Sequence, residues 1–230
     1  MILPLLEPAL FVKRYKRFLV DVEMADGSIL TVHCPNTGSM RGCLSPKSPV
    51  MLSRSDSPTR KYPHTLEMIQ VDGNWVGINT SRTNHLVREA IENGIIHEFG
   101  KVGDIKAEVK VSGKSRLDFL LQRVDNQLYV EVKNCTLVEN GTAMFPDAVT
   151  ERGTKHLREL IDLKGQGFDA AVFFCVQRMD GQEFAPAAHI DPLYAATLAE
   201  AAAAGVMVVA YQATVGPEEI KITHALPVRL

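Results

Sequence analysis

A chain of 230 residues has room for one large domain or two small ones. Its hydrophobic content of 46% and charged content of 23% are ordinary for a globular protein and exclude a disordered or repetitive chain. A net charge of −2 excludes a polycation that binds nucleic acid through its overall charge.

The first 82 residues are predicted to form a small β-barrel. Apolar and polar side chains alternate over residues 18–24 and 30–34, with Asp26-Gly27 between them as a hairpin turn. A second hairpin is predicted over residues 65–79, across Asp72-Gly73, and residues 45–63 are expected to form a loop. Short strands, tight turns and no helical pattern favour a barrel.

This first domain carries two clusters of basic side chains with aromatic neighbours. The first cluster comprises Lys13, Arg14, Lys16 and Arg17, and the second comprises Arg54, Arg60 and Lys61. Basic groups beside aromatic rings suit phosphate contact and base stacking, so we predict that both clusters bind DNA. A solvated hairpin edge, on which lysine blocks strand pairing, is an equally good interpretation.

From residue 83 onward, helical and strand patterns alternate. A helix beginning near residue 84 precedes strands at 105–111, 116–122 and 127–134, which are separated by turns at Ser112-Gly113 and Asp125-Asn126. A helix over residues 150–164, a strand over 169–177, an alanine-rich helix ending at Gly205 and two final strands follow. The order α-β-β-β-α-β-α-β predicts an α/β sandwich over residues 83–230.

Asp118, Glu131 and Lys133 carry the strongest chemical signal, and we predict that they are catalytic. Alternate side chains of a strand share a face, so Glu131 and Lys133 point the same way, and the turn near residue 125 brings Asp118 opposite them. Two carboxylates can hold Mg²⁺ or Mn²⁺, which activates water and offsets phosphate charge. Lys133 could orient or deprotonate that water, or stabilise the transition state.

The flanking helices are expected to extend this site. Glu89 is predicted to be a third metal ligand beside Asp118 and Glu131. The following helix is predicted to contact the phosphate backbone through Arg152, Lys155 and His156. The alternative is an ordinary solvated strand face with a Glu-Lys pair and a cross-strand aspartate.

Residues 84–177 resemble the PD-(D/E)XK nuclease superfamily. The resemblance rests on Asp118 in one strand, Glu131-Val132-Lys133 in the next, and the α-β-β-β-α-β order around them. Leu117 stands where the superfamily name has proline, at a position that varies among its members.

Four longer motifs resemble the sugar fermentation stimulation protein family, SfsA, over nearly the whole chain. They are HCPNTGSM (33–40), RKYPHT (60–65), FPDAVTERGTKHLREL (145–160) and HIDPLYA (189–195). The resemblance implies an OB-fold-like domain over residues 1–82 and a nuclease-like domain over residues 83–230. It also implies non-specific DNA binding and a regulatory role in maltose metabolism.

We therefore predict a DNA-binding protein with little sequence preference, whose barrel contacts the backbone while the nuclease-like domain embraces the duplex. A Mg²⁺- or Mn²⁺-dependent deoxyribonuclease and a regulator that responds to a sugar are the alternatives. The four cysteines form no CxxC pair, and no apolar run approaches the roughly 20 residues that span a bilayer. With no signal-peptide pattern at the start, we expect a cytoplasmic protein that does not bind membranes.

Overall fold

The N-terminal part of the chain forms a closed β-barrel. The computed structural model describes residues 1–112 and 115–230. The strands of this part are β1 (Glu7–Tyr15), β2 (Leu19–Glu23), β3 (Ile29–His33), β4 (Pro49–Arg54), β5 (His64–Val71) and β6 (Asn74–Gly77). They lie in the order β3-β2-β1-β4-β5-β6, and pairing of His33 with Thr65 joins β3 to β5 and closes the barrel. The predicted barrel is confirmed.

Alternating side chains fill the barrel interior. Val20 and Val22 of β2 and Val32 of β3 are fully buried, as expected for strands with one face toward a core. The loop predicted over residues 45–63 is wrong in part, because β4 occupies Pro49–Arg54 and buries Val50 and Leu52. Proline and serine residues around this short strand hide the alternation of its apolar and polar side chains in the sequence.

The rest of the chain forms an α/β sandwich, as predicted. In chain order its elements are α1 (Thr83–Glu92), β7 (Val102–Ser112), β8 (Ser115–Arg123), β9 (Gln127–Cys135), β10 (Leu137–Glu139), β11 (Thr142–Phe145), α2 (Glu151–Gly165), β12 (Asp169–Val176), β13 (Glu183–Pro186), α3 (Pro192–Ala203), β14 (Met207–Val215) and β15 (Ile220–Ala225). The main sheet has the order β15-β14-β12-β9-β8-β7, and β10-β11-β13 form a smaller sheet. Gly113, in the turn predicted before β8, lies outside the described residues.

Helices cover both faces of the main sheet. On one face, Leu86 and Val87 of α1 share a core with Val130 and Val132 of β9. On the other face, α2 and α3 pack over buried side chains of β12. This arrangement explains the nearly continuous apolar sequence of β12, since a strand covered on both faces has no solvated side.

A buried ion pair joins the barrel to the start of α1. Glu67 of β5 is 1% exposed and accepts hydrogen bonds from Arg82 Nε and Nη2 at 2.6 and 2.8 Å. Ser53 and Asn79 also donate to this carboxylate, at 2.6 and 2.9 Å. The predicted boundary at residues 82 and 83 falls between β6 and α1, next to this contact.

Cys34, Cys43, Cys135 and Cys175 are all buried free thiols. Within residues 1–112 and 115–230, no helix has both the length and the apolar character needed to cross a bilayer.

Candidate metal and nucleic-acid site

Two neighbouring strands bring Asp118 and Glu131 together. β8 and β9 are antiparallel and pair from Gln122 and Gln127 up to Phe119 and Val130. Beyond this pair, the backbone ladder stops and a side chain supplies the next acceptor. Asp118 Oδ2 accepts a hydrogen bond from Val132 N at 2.8 Å. This interruption of the ladder directs the Asp118 side chain toward β9.

Asp118 is held on its second oxygen by the first turn of α1. Asn84 Nδ2 donates to Asp118 Oδ1 at 2.8 Å. Burial and the negative charge of Glu131 raise the pKa of Asp118, although its hydrogen bonds from Val132 and Asn84 oppose the change. Burial thus disfavours the charged form of Asp118, and the neighbouring charge of Glu131 adds to that effect.

Glu131 is the most deeply buried member of the group, with 5% of its side chain exposed. Lys133 Nζ lies 2.5 Å from Glu131 Oε1, and His156 Nδ1 of α2 hydrogen-bonds the same oxygen. Burial on its own would raise the pKa of Glu131, but the hydrogen bond from His156 and the charge of Lys133 outweigh it and lower the pKa. Glu131 therefore remains ionised in a largely dry environment.

The local structure of α2 explains how His156 reaches Glu131. Thr150 caps the helix by accepting a hydrogen bond from Gly153 N at 3.1 Å. Gly153 lets α2 approach α3 closely, because a Cβ atom there would lie 3.0 Å from the Tyr194 ring. His156 lies one turn later, on the buried side of the helix. The prediction that His156 contacts phosphate is wrong, since its ring is buried against Glu131.

The donor set fits a divalent cation held by Asp118 and Glu131. Glu131 Oε2 is buried and has no hydrogen-bond partner among the described residues, so it is available as a ligand for a cation. Within the same residues, no group of three or more His, Cys, Asp or Glu side chains is arranged to hold a metal ion. Two carboxylates with water and phosphate oxygens are a typical set for Mg²⁺.

Glu89 does not belong to this group. Its carboxylate lies 2.9 Å from the amino group of Met1, in a region formed by α1 and β15 rather than at Asp118. Asn84 and Glu89 are five residues apart in a helix with 3.6 residues per turn, so they project in different directions and only Asn84 faces the carboxylates. The prediction of a third metal ligand at Glu89 is wrong.

Asp118, Glu131 and Lys133 line a cleft of about 860 Å³ between the two domains. The barrel contributes residues 36–39 with Arg14 and Arg17, and the sandwich contributes residues 144–150 with Arg152. Ser39 Oγ donates to Asp147 O at 2.6 Å, and Met40 N donates to Asp147 Oδ2 at 2.7 Å. One wall of the cleft is therefore continuous across the domain boundary.

Arg14 stabilises this wall through hydrogen bonds to its backbone. Its guanidinium donates to the carbonyl oxygens of Asn36, Gly38 and Ser39 at 2.7, 2.9 and 3.1 Å, and to that of Arg17 at 2.7 Å. These bonds use the donors with which Arg14 was predicted to bind phosphate, so its role is to shape the loop. Arg17, at the exposed hairpin tip, and Arg152 supply positive charge to the cleft.

The other predicted DNA-binding residues do not line the cleft. Lys13 forms an ion pair with Asp21 at 3.6 Å, and Lys155 forms one with Glu159 at 3.7 Å. Lys16 is exposed at the hairpin tip beside Arg17. The second basic cluster, Arg54, Arg60 and Lys61, lies around the loop between β4 and β5.

Asn84 and Asp147 are the site residues that the chemical interpretation of the sequence missed. The helical pattern predicts no chemical role for Asn84, and Asp147 appears only within the motif at 145–160. The family motifs at residues 33–40 and 145–160 contained the signal for these residues. Both motifs contribute to the cleft wall. Periodicity could not reveal their contact.

Comparisons with known proteins agree with this architecture. A family model described as "Sugar fermentation stimulation protein RE domain" matches residues 81–219, and one described as "SfsA N-terminal OB domain" matches residues 12–78. A "Sugar fermentation stimulation protein homolog" of Desulfotalea psychrophila is 57% identical over 225 residues, which are 98% of this chain and 93% of the relative. Its counterpart in Geotalea uraniireducens is 54% identical over 223 residues, covering 97% and 96%.

A solved structure extends the similarity to the complete fold. The structure of Pyrococcus furiosus SfsA in complex with Ca²⁺ matches with a TM-score of 0.92 and 28% sequence identity. The match covers 100% of this chain and 98% of the other. Both family models, the full-length relatives and the shared fold lead to one conclusion: the chain belongs to the sugar fermentation stimulation protein family, SfsA.

Proposed function

We propose that this protein binds DNA with little sequence preference in the cleft between its domains. One observation carries the proposal: Asp118, Glu131 and Lys133 lie deep in a cleft that Arg17 and Arg152 also line. Guanidinium groups and cation-bearing carboxylates both bind phosphate oxygens. Contacts to phosphate position a protein on DNA but carry no base information, so sequence preference is expected to be weak.

Mg²⁺ or Mn²⁺ is the cation that we propose for Asp118 and Glu131. The related Pyrococcus furiosus protein is described in complex with Ca²⁺, an ion that takes oxygen ligands as Mg²⁺ does. In this chain, the unpartnered Glu131 Oε2 and the raised pKa of Asp118 support a cation between the two carboxylates. Asn84, Val132 N and His156 would hold both carboxylates in place for it.

Hydrolysis of the DNA backbone is a second candidate function, and the position of Lys133 favours it. When bound, the cation would lower the pKa of a water molecule and offset charge on the phosphate. Lys133, beside Glu131, would place its ammonium group where negative charge develops on the phosphate during the reaction. The three side chains would then act as the catalytic group that the sequence predicts.

A regulatory role in sugar metabolism, specifically maltose metabolism, is part of the proposal because of the family resemblance. A regulator whose primary ligand is a sugar is the alternative. Thermal unfolding of the protein with and without maltose distinguishes them, since a ligand that binds the native state raises Tm. We expect no shift with maltose and a rise with DNA.

The direct test is fluorescence anisotropy of labelled DNA with purified protein, first in Ca²⁺ and then in Mn²⁺, followed by gel analysis of the DNA. Binding without cleavage supports the first function alone. Cleavage by the wild-type protein supports both. The absence of binding to single-stranded and duplex DNA in both ions contradicts the proposal.

A further inference from the structure

We infer that the ligand of this cleft is single-stranded DNA and not a duplex. The inference rests on the proposed DNA binding and specifies its substrate class. It replaces the expectation that the nuclease-like domain embraces a duplex. The depth of the carboxylates, the bracing of the cleft wall and the chemistry of the lining support it.

The carboxylates lie too deep in the cleft for the backbone of duplex DNA to reach them. Only 5% of the Glu131 side chain and 12% of the Lys133 side chain are exposed, so a phosphate has to enter the cleft to meet them. The cleft volume of about 860 Å³ falls within the range of about 300–1,000 Å³ typical of sites that enclose a small ligand. A few nucleotides of a flexible strand are on this scale, whereas duplex DNA is stiff over many base pairs.

The wall of the cleft is braced against opening. Asp147 accepts hydrogen bonds from Ser39 and Met40 across the domain boundary. Gly38 sits so close that a Cβ atom would lie 3.1 Å from Asp147 Oδ1. Arg14 donates hydrogen bonds to three carbonyl groups of this loop, those of Asn36, Gly38 and Ser39. Widening the cleft for a duplex would break the hydrogen bonds from Ser39 and Met40 to Asp147, and a single strand requires no such change.

The lining combines charge with exposed apolar surface. Arg17, Arg152 and Lys133 would face phosphates, while Val149, which is 72% exposed, and the partly buried Met144 present apolar surface. In a duplex the base faces are stacked inside and cannot reach such side chains. In a single strand the faces are free, and apolar contacts to them are non-directional and do not depend on base identity.

The test compares a labelled single-stranded oligonucleotide with the same oligonucleotide annealed to its complement, by anisotropy in Ca²⁺. We expect the single strand to bind about tenfold or more tightly than the duplex, since contacts to base faces are added to those with phosphates. Equal or tighter binding of the duplex would overturn the inference and leave DNA binding intact. No binding to either would overturn both.

Two matched variants locate the strand. Val149→Glu adds a negative charge inside the cleft, and Val124→Glu adds one at the turn between β8 and β9, outside it. Both side chains are exposed, at 72% and 79%, so neither change disturbs a core. We expect Val149→Glu to weaken single-strand binding about tenfold and Val124→Glu to leave it unchanged, because charge repulsion falls off over about 10 Å. Equal effects of the two variants would overturn the inference.

Discussion

Each oxygen of the carboxylate pair has a distinct environment. Both Asp118 oxygens accept hydrogen bonds, and Glu131 Oε1 is shared by Lys133 and His156, which leaves Glu131 Oε2 buried without a partner among the described residues. A buried acceptor without a donor destabilises the protein by about 1–3 kcal/mol. A bound cation would remove that cost and the repulsion between the carboxylates together.

The first prediction at this scale concerns the metal. Asp118→Ala should abolish Mn²⁺ binding in isothermal titration calorimetry, because it removes one of the two carboxylates that would hold the ion. Asp125→Ala, at an exposed turn position, is the control and should bind Mn²⁺ as the wild type does. Equal Mn²⁺ affinities of the wild type and Asp118→Ala would show that the cation does not bind at Asp118.

The second prediction concerns Lys133 in DNA cleavage. If the wild type cuts DNA in Mn²⁺, Lys133→Ala should cut at least about a hundredfold more slowly, as is usual when a contact to the transition state is lost. Its DNA affinity should change little, because the affinity comes from several phosphate contacts.

Lys106→Ala, on the exposed surface of β7, should retain both activities and is the matched control. If Lys133→Ala loses affinity and cleavage in parallel, Lys133 is a phosphate anchor rather than a catalytic residue. Gel assays of cleavage and anisotropy measurements on the same preparations separate these outcomes.

Single elements of the sandwich are largely predictable, because its helices and strands have the periodicities of their type. The strands at residues 116–122 and 127–134 and the helix at 150–164 lie within one or two residues of β8, β9 and α2. The short strands β4, β10, β11 and β13 are missed, since three to six residues give too few repeats to establish alternation. The prediction for His156 fails for a related reason. The sequence does not reveal that its buried partner is Glu131, so a polar residue on α2 is expected to face solvent.

The third prediction belongs to the contact between β5 and α1. Glu67→Gln should lower the free energy of unfolding by about 3 kcal/mol, because it leaves the Arg82 guanidinium without its buried counter-charge. Glu92→Gln, which breaks an exposed pair with Arg88, should cost less than about 1 kcal/mol. Urea denaturation of both variants and the wild type checks the difference.

The same contact gives the stability a defined pH dependence. Burial would raise the pKa of Glu67, but hydrogen bonds from Arg82 and Ser53 outweigh it, and the pKa in the folded state is lowered. The stabilisation is therefore complete above the pKa of an unfolded glutamate and disappears as pH falls through the lowered value. In acid, the stability of the wild type should fall toward that of Glu67→Gln; a constant difference would contradict this assignment.

At the scale of the whole molecule, the cleft could not be predicted from the sequence. Its wall joins residues 36–40 to residues 145–150, about a hundred positions away, and no local pattern encodes such a contact. The group Asp118, Glu131 and Lys133 was predictable because strand geometry and one hairpin turn suffice to bring it together. Arg14 was misinterpreted because a basic cluster does not reveal which of its members is bound by backbone carbonyls.

The fourth prediction concerns the salt dependence of DNA binding. Arg17→Ala should reduce the slope of log affinity against log salt concentration by about 0.7 for single-stranded DNA, the value for one lost phosphate contact. Arg60→Ala, outside the cleft, should leave the slope unchanged. A reduced slope in Arg60→Ala would show that the DNA interface includes the loop between β4 and β5. An unchanged slope in Arg17→Ala would show that the hairpin tip does not contact DNA.

The hydrogen bonds from Ser39 and Met40 to Asp147 form only when the barrel and the sandwich are in contact. Domains generally fold as units, and these bonds require a finished barrel and a finished sandwich. We therefore expect the proposed binding surface to form late in folding, once the two domains have docked. In a refolding experiment, recovery of single-strand binding should lag behind the recovery of secondary structure and follow the slower of the two domains.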